Sequence, residues 1–460
     1  MVDQQFAAII LAAGLGTRMK SDLPKAFHPV GGRAMVDHVV ATARDLGAAE
    51  IVVVIGTEMT DRVADLGAVK IAVQTERHGT ADAVRAGVAC LGTFAGDVLV
   101  AYGDTPLVRP GTYTALLAAR RDGRDPAVAV LGFRPADPAD YGRLIVDADG
   151  ALRAIVESRD ATPEQRAIGL CNSGLMAFDG ARLPILLDGI GNDNAKGEFY
   201  LTEIVAVARA AGFDCAHIEG ADDDELIGVN CRADLAVAEA VFQTRARAEA
   251  MAGGVTLDDP TTCYLSADTR FGRDVRIEPN VVFGPGVTIG DRVQIRAFCH
   301  LAGASIGDDA TIGPFARLRP GTEIGSGARI GNFVEVKNAR LHDGAKANHL
   351  SYIGDAEIGA DANIGAGVIT CNYDGVGKYR TEIGAGAFIG SNAALVAPVR
   401  IGAGAVIGAG SVIAEDVEDD SLATTRAPLR RVAGGAAKLR ERNEARAEAA
   451  DKNSKAKRTT

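Results

Sequence analysis

Ile383-Gly-Ala-Gly-Ala-Phe-Ile389-Gly-Ser-Asn-Ala-Ala-Leu395-Val-Ala-Pro-Val-Arg-Ile401-Gly-Ala-Gly-Ala-Val-Ile407-Gly-Ala-Gly-Ser-Val-Ile413 carries an aliphatic side chain at every sixth residue. The same step links Ile306, Ile312, Leu318, Ile324, Ile330 and Val336, and before them Val275, Val281, Val287 and Val293. A period of six is neither the helical 3.6 nor the strand alternation of two. It matches a β-solenoid, in which each hexapeptide is one short strand plus a turn and stacked neighbours bury a core that no repeat could bury alone. The aliphatic residue points inward. The glycine that often follows it, as in Ile306-Gly307, Ile324-Gly325 and Ile401-Gly402, lets the backbone turn. Three hexapeptides per coil make a left-handed parallel β-helix, expected over 253–430. The period breaks at 338–352 and 371–382, where insertions are expected to protrude as functional loops. Both breaks hold polar residues that a core does not need, among them His349, Asn372, Tyr373 and Lys378.

Upstream the pattern changes. Over 1–229, short apolar runs at 7–12, 51–55, 70–73, 97–102 and 127–133 alternate with helically spaced apolar residues at 34–46 and 81–91. This alternation predicts an α/β domain, a mostly parallel Rossmann-like sheet with helices on both faces and ligands at the carboxyl ends of its strands. Residues 230–252 read as a helical linker with Leu235, Ala238, Phe242 and Met251 on one face, stopped by Gly253 and Gly254. Residues 431–460, rich in Ala, Lys, Arg and Glu, read as a partly disordered tail with little to bury.

Composition narrows the function. A net charge of −11 speaks against binding nucleic acid or an anionic membrane, since both demand a basic face. No apolar run approaches the ~20 residues of a membrane span. Seven scattered cysteines without a Cys-x-x-Cys pattern point to a reducing cytoplasm rather than a disulfide framework or a zinc site. Small phosphate ligands remain, because a few local cations suffice for them.

The segment Leu11-Ala12-Ala13-Gly14-Leu-Gly16-Thr-Arg18-Met19 follows the first strand. Its glycines expose backbone N–H groups that can cradle phosphate. Met19 replaces the third glycine of a dinucleotide fingerprint, and no Gly-Lys-Ser/Thr is present, which disfavours nicotinamide enzymes and P-loop NTPases. Arg18 and then Pro24-Lys25 add the cations that a triphosphate requires. Tyr102-Gly103-Asp104 ends another strand with a carboxylate suited to Mg²⁺.

With Gly79-Thr80, Tyr141-Gly142-Arg143, Glu157, Asn172-Ser-Gly and Gly228-Val229-Asn230, these motifs fall in the order that nucleotide-sugar pyrophosphorylases show. Over about residues 6–430 the chain resembles the bacterial family of bifunctional N-acetylglucosamine-1-phosphate uridyltransferase/glucosamine-1-phosphate acetyltransferases. The resemblance implies that Leu11, Ala12, Ala13, Gly14, Gln74, Gly79 and Thr80 hold the uridine nucleotide, beside Tyr102 and Gly103. Gly142, Glu157 and Asn172 would hold the sugar, Asp104 and Asn230 would bind Mg²⁺, and Arg18 and Lys25 would meet the phosphates. Ser173 and Cys231 stand where threonine and asparagine are commoner.

The second half matches that family from Arg319-Pro-Gly through Asn348-His349-Leu to Cys371-Asn372-Tyr373-Asp374. The resemblance makes His349 the general base for the sugar amine, and a histidine poised near neutrality suits that task. Arg319, Lys337, Tyr352 and Asn363 would bind glucosamine-1-phosphate. Ala366, Asn372, Tyr373, Ser391, Ala409 and Arg426 would line the acetyl-CoA site. Glu335 is offered as the carboxylate that orients His349. Cys371 as an acyl carrier is disfavoured, because no adjacent base is evident and direct transfer needs no intermediate. A cytoplasmic homotrimer, with UTP and acetyl-CoA as substrates, Mg²⁺ as cofactor and a product destined for the cell wall, is also implied. The alternative is a single-activity pyrophosphorylase with a structural or regulatory β-helix.

Overall fold

A computed structural model describes residues 5–457 except 136, 139, 140, 149, 195 and 221. The chain forms two compact units, Met1–Gly327 with Gly331–Phe333, and Ala328–Ile330 with Val334–Thr460. Among the described residues no helix is long and apolar enough to cross a membrane.

The first unit opens with Phe6–Leu11, a strand buried along its whole length. It lies inside a sheet ordered Cys215–Glu219, Val128–Phe133, Cys171–Asp179, Asp97–Tyr102, Phe6–Leu11, Glu50–Gly56 and Lys70–Gln74. Successive side chains leave a strand on opposite faces. Ile10 and Val53 therefore meet Val36, Val39 and Leu116 from helices Met35–Asp45 and Pro110–Arg120. Ile9 and Val52 meet Val84, Leu186 and Ile204 from Thr80–Leu91, Leu183–Asp188 and Ile204–Ala210 on the other side. Burial on both faces explains the unbroken apolar runs. The expected strands appear within about a residue of their sequence positions. Cys171–Asp179 runs antiparallel to both neighbours, and the hairpin Arg143–Val146 with Leu152–Val156 joins its end. Neither feature has a sequence signal as clear as the parallel strands.

The linker is the helix Arg232–Ala252, and Gly254 takes the left-handed φ of 97° just beyond it. Ala238, Leu235, Val241 and Phe242 pack on Val30, Met35, Leu107 and Val229. Met251, expected on the same face, is exposed instead. The apolar cluster ends at Phe242, about two and a half turns earlier. The helix is also tied by polar contacts. Glu239 accepts from the Gly31 N–H at 2.7 Å, and the Gly31 carbonyl accepts from Ser266 Oγ and the Ala267 N–H. Buried Gln243 donates to the Leu265 carbonyl at 2.7 Å and accepts from the Leu265 N–H at 2.8 Å, acting as a substitute strand neighbour. Gln243→Ala strands both backbone groups. It is expected to cost about 2–4 kcal/mol, read as a lower midpoint in denaturant unfolding.

The solenoid is a left-handed parallel β-helix of two- to four-residue strands. In the first unit, Arg276–Ile277 on Gln294–Ile295 and Val282–Phe283 on His300–Leu301 set the pattern. Each of these strands exposes its first residue and buries its second, while Val275, Val281, Val287 and Val293 add a second inward position per repeat. In the second unit, Glu335–Lys337, Tyr352–Gly354, Ile369–Cys371 and Ala394–Val396 stack in one sheet, with two further sheets beside it.

The expected loop at 338–352 is corrected. Arg340–Leu341, Lys346–His349 and Tyr352–Gly354 continue the three sheets without an insertion. Five-residue steps from Val336 to Leu341 and from Ile353 to Ile358, with Ala347 as an inward residue, hide the period while keeping the core closed. The second break does protrude: 372–380 leaves the solenoid between Ile369–Cys371 and Thr381–Ile383 and exposes Tyr373, Val376 and Tyr379. The C-terminal segment carries a helix, Gly435–Lys457, exposed over nearly all of 436–449. Its Ala, Glu, Lys and Arg content favours helix without any face to bury. Residues 458–460 of the expected tail lie outside the described residues.

Candidate active sites

Six parallel strands end at one edge of the first unit's sheet, and the segment after Phe6–Leu11 crosses that edge. The Ala12 N–H donates to Val54 O at 2.8 Å and the Gly103 N–H to Leu11 O at 2.9 Å, so both strand ends are pinned. A cavity of about 290 Å³ opens there, lined by Leu11, Ala12, Ala13, Gly14, Lys25, Gln74, Gly79, Thr80, Tyr102 and Asp104, together with Arg77 and Glu198. Gln74 donates to the Gly79 carbonyl at 3.1 Å and to Asp82 at 2.8 Å. Gly79 has φ 124°, and a Cβ there would stand 2.4 Å from the Phe199 carbonyl oxygen, so no other residue fits. Thr80 Oγ1 accepts from the Leu201 N–H at 3.0 Å.

Lys25 begins the one-turn helix Lys25–Phe27, and its ammonium bonds the Asp104 carboxylate and, at 3.0 Å, Asn230 Oδ1. Asp104 and Asn230 come from segments that meet through the Val229 N–H and the Asp104 carbonyl, 2.9 Å apart. Two oxygens from distant segments thus converge on one cation, the arrangement a hard divalent ion uses. Arg18, on the exposed turn Thr17–Met19, stands outside the cavity lining.

The residues expected to hold the sugar gather around Tyr102. The Asn172 N–H donates to Gly142 O at 2.8 Å, and Asn172 Oδ1 accepts from the Gly174 N–H at 3.0 Å. A Cβ on Gly174 would touch the Tyr102 ring at 2.8 Å. Glu157 accepts from Thr202 Oγ1 at 3.0 Å, and burial pushes its carboxyl above the usual range. Burial first, and then the charges of Asp104 and Glu157, push the Tyr102 phenol up, so it remains a neutral hydroxyl that can donate. Ser173 Oγ donates to Leu131 O at 2.7 Å, filling a packing role.

Sequence reasoning missed Arg77. Its Nε donates to the Ala13 carbonyl at 2.9 Å while its guanidinium pairs with Glu58, bracing the segment 11–14 from the side. No local pattern marks it, because its partner lies 64 residues away.

In the second unit, the other candidates lie at two corners of the β-helix, His349 before strand Tyr352–Gly354 and Lys337 and Asn372 at the far end of the same sheet. The Gly367 N–H donates to His349 O, the Asn392 N–H to Ala366 O, the Gly410 N–H to Ser391 O, and Arg426 Nε to Ala409 O. His349, Ala366, Ser391, Ala409 and Arg426 therefore follow one another up successive coils. Lys337 lies opposite Gly354, Tyr352 opposite Glu335 and Ile369, and Asn363 opposite Lys346 and Phe388. Buried Asn372 donates to Asp355, and Tyr373 is exposed with its hydroxyl donating to Gly375 O at 2.6 Å. Arg319 belongs to the first unit, where its carbonyl accepts from Thr322 Oγ1 at 2.6 Å.

Residues 8–166 match the family model of the MobA-like NTP transferase domain. Residues 268–303, 303–338 and 380–415 match that of the bacterial transferase hexapeptide (six repeats). The chain is 61% identical over 437 residues to the bifunctional protein GlmU of Rhodospirillum rubrum, covering 94% of this chain and 97% of that one. It is 55% identical over 446 residues to the protein of the same name from Paramagnetospirillum magneticum, covering 97% and 99%. Against the Azorhizobium caulinodans protein of that name the identity is 56% over 444 residues, covering 96% and 98%.

Proposed function

The chain belongs to the bifunctional GlmU family, and from that premise we infer two transfers on one polypeptide, whose joint product is UDP-N-acetylglucosamine. Acetyl-CoA gives its acetyl group to the amine of glucosamine-1-phosphate. N-acetylglucosamine-1-phosphate then takes the uridylyl group of UTP and releases pyrophosphate. The observation that carries the assignment of sites is the convergence of Lys25, Asp104 and Asn230 at the strand-end cavity.

In the first site the segment 11–14, Gln74, Gly79 and Thr80 hold the nucleotide. Gly142, Glu157 and Asn172 hold the sugar beside Tyr102. A sugar-phosphate oxygen attacks the α-phosphorus in line, and Lys25 and Arg18 balance the charge of the departing pyrophosphate. Such transfers need positioning and electrostatics rather than a protein nucleophile. Asp104 and Asn230 fit Mg²⁺, which when bound would neutralise phosphate charge.

In the second site His349 takes the proton of the sugar amine as it attacks the thioester carbonyl. Lys337, Arg319, Tyr352 and Asn363 hold the acceptor. Ala366, Asn372, Tyr373, Ser391, Ala409 and Arg426 border acetyl-CoA. We also place the protein in the cytoplasm as a homotrimer, an assembly in which hexapeptide solenoids pack side by side; of three alanines expected to face outward, Ala394 is half-buried while Ala393 and Ala405 lie in the core.

A product assay with two mixtures tests the reading. Glucosamine-1-phosphate, acetyl-CoA, UTP and Mg²⁺ should yield UDP-N-acetylglucosamine, and so should N-acetylglucosamine-1-phosphate, UTP and Mg²⁺. Product from the second mixture alone would remove the acetyltransferase assignment.

A further inference from the structure

Asp355 has no motif around it and no role in the site as described so far, yet the side chains of two candidates, Lys337 and Asn372, reach it together with that of Asn338. It sits between strands Tyr352–Gly354 and Ala356–Ile358 with φ 47°, a left-handed conformation that aspartate tolerates better than most L-residues. Its N–H donates to Lys337 O at 3.0 Å, and its carbonyl accepts from the Thr381 N–H at 3.1 Å, so the backbone is fixed to the coils on either side. The carboxylate is 12% exposed. Oδ1 accepts from Asn338 Nδ2 at 2.6 Å, and Oδ2 accepts from Asn372 Nδ2 and stands 3.5 Å from Lys337 Nζ. Burial works to raise this carboxyl. The two amides and the Lys337 ammonium outweigh it, and the group stays ionised below the usual carboxylate range.

We propose that Asp355 is a positioning residue for acetyl transfer, its one carboxylate setting both the Lys337 ammonium that meets the sugar phosphate and the Asn372 amide that borders acetyl-CoA. The inference rests on the acetyltransferase reading of this β-helix. Its chemical basis is that every group facing the carboxylate is a donor. Asparagine would keep the shape but remove the charge that faces the Lys337 ammonium, and one of its two positions would become an N–H₂ that Asn338 or Asn372 can meet only by turning its own amide oxygen inward. Only a carboxylate presents acceptors on both sides and a charge for the ammonium at once. A role limited to core packing would not select these partners, since all three are polar side chains and two of them, Lys337 and Asn372, are candidate site residues.

The test compares steady-state kinetics of the full-length wild type, Asp355→Asn, Lys337→Met and Asn372→Ala. Lys337→Met is expected to raise KM chiefly for glucosamine-1-phosphate, and Asn372→Ala chiefly for acetyl-CoA. Asp355→Asn should raise both, each about tenfold or more, while uridylyl transfer from N-acetylglucosamine-1-phosphate stays at the wild-type rate. In the Asn372→Ala background, Asp355→Asn should add little further to the acetyl-CoA KM, because the contact is already lost. General damage to the β-helix would add in full. The proposal is overturned if Asp355→Asn moves only one KM or neither, or if its effect adds in full to that of Asn372→Ala. A wild type without any acetyl transfer would overturn the site reading itself, and the inference with it, and is distinguished by the wild-type arm alone.

Discussion

His349→Ala is expected to lower acetyl transfer about 10²–10⁴-fold, the usual worth of a positioned general base, and to leave uridylyl transfer from N-acetylglucosamine-1-phosphate untouched. The attacking amine must shed a proton as the C–N bond forms. His349 stands at the end of strand Lys346–His349, at the foot of the corner that Ala366, Ser391 and Ala409 continue. Its carbonyl accepts from Gly367 N–H and from Ser351 Oγ, so the backbone that carries the imidazole is held on two sides. The substitution removes the ring and disturbs neither of those bonds. Coupled assays on the two mixtures read the split directly. An alanine variant that kept full acetyl transfer would move the base elsewhere in the site.

The second large effect is expected at Lys25. Lys25→Ala should reduce uridylyl transfer about 10²–10³-fold and spare acetyl transfer. The ammonium is one of few cations within the cavity lining, and it contacts both Asp104 and Asn230. Removing it leaves a partly buried carboxylate without its cation and the leaving pyrophosphate with less positive charge. Arg18→Ala should cost less, since that guanidinium stands on an exposed turn where solvent screens it. Pyrophosphate release measured for the two variants side by side checks the ranking. Equal losses would mean that the exposed turn closes over the nucleotide during the reaction.

Much of this molecule was legible before any coordinates, and the reason differs between the halves. The solenoid repeats its local rule, so Ile383 to Ile413 announces a coil several times over, and the buried aliphatic residues lie where the period puts them. The parallel strands of the first domain are legible because burial on both faces leaves continuous apolar runs. Failures came where the controlling contact is remote or the period shifts phase. At 338–352 two short steps made an intact coil look like an insertion. Met251 kept the helical spacing but lay beyond the surface it was supposed to cover. Cys171–Asp179 pairs antiparallel with strands some forty and seventy residues before it, which no local pattern encodes. Arg77 and Asp355 act on a carbonyl and on side chains brought near only by folding. The nucleotide segment, Lys25, Asp104, Asn230 and His349 could be named because a family resemblance supplied the tertiary information that spacing lacks.

The corner that joins His349, Ala366, Ser391, Ala409 and Arg426 imposes a rule on how this gene can change length. Each of these residues belongs to a different coil, so their alignment depends on every intervening coil closing at the same angle. Losing one hexapeptide would preserve the buried aliphatic row and still rotate everything downstream onto a neighbouring face. A whole coil gained or lost among them keeps the faces in register but separates the five residues or removes one, whereas the outward loop can lengthen beyond Tyr373 without touching the alignment. Insertions elsewhere between these positions would leave a well-packed rod whose two substrates no longer face each other.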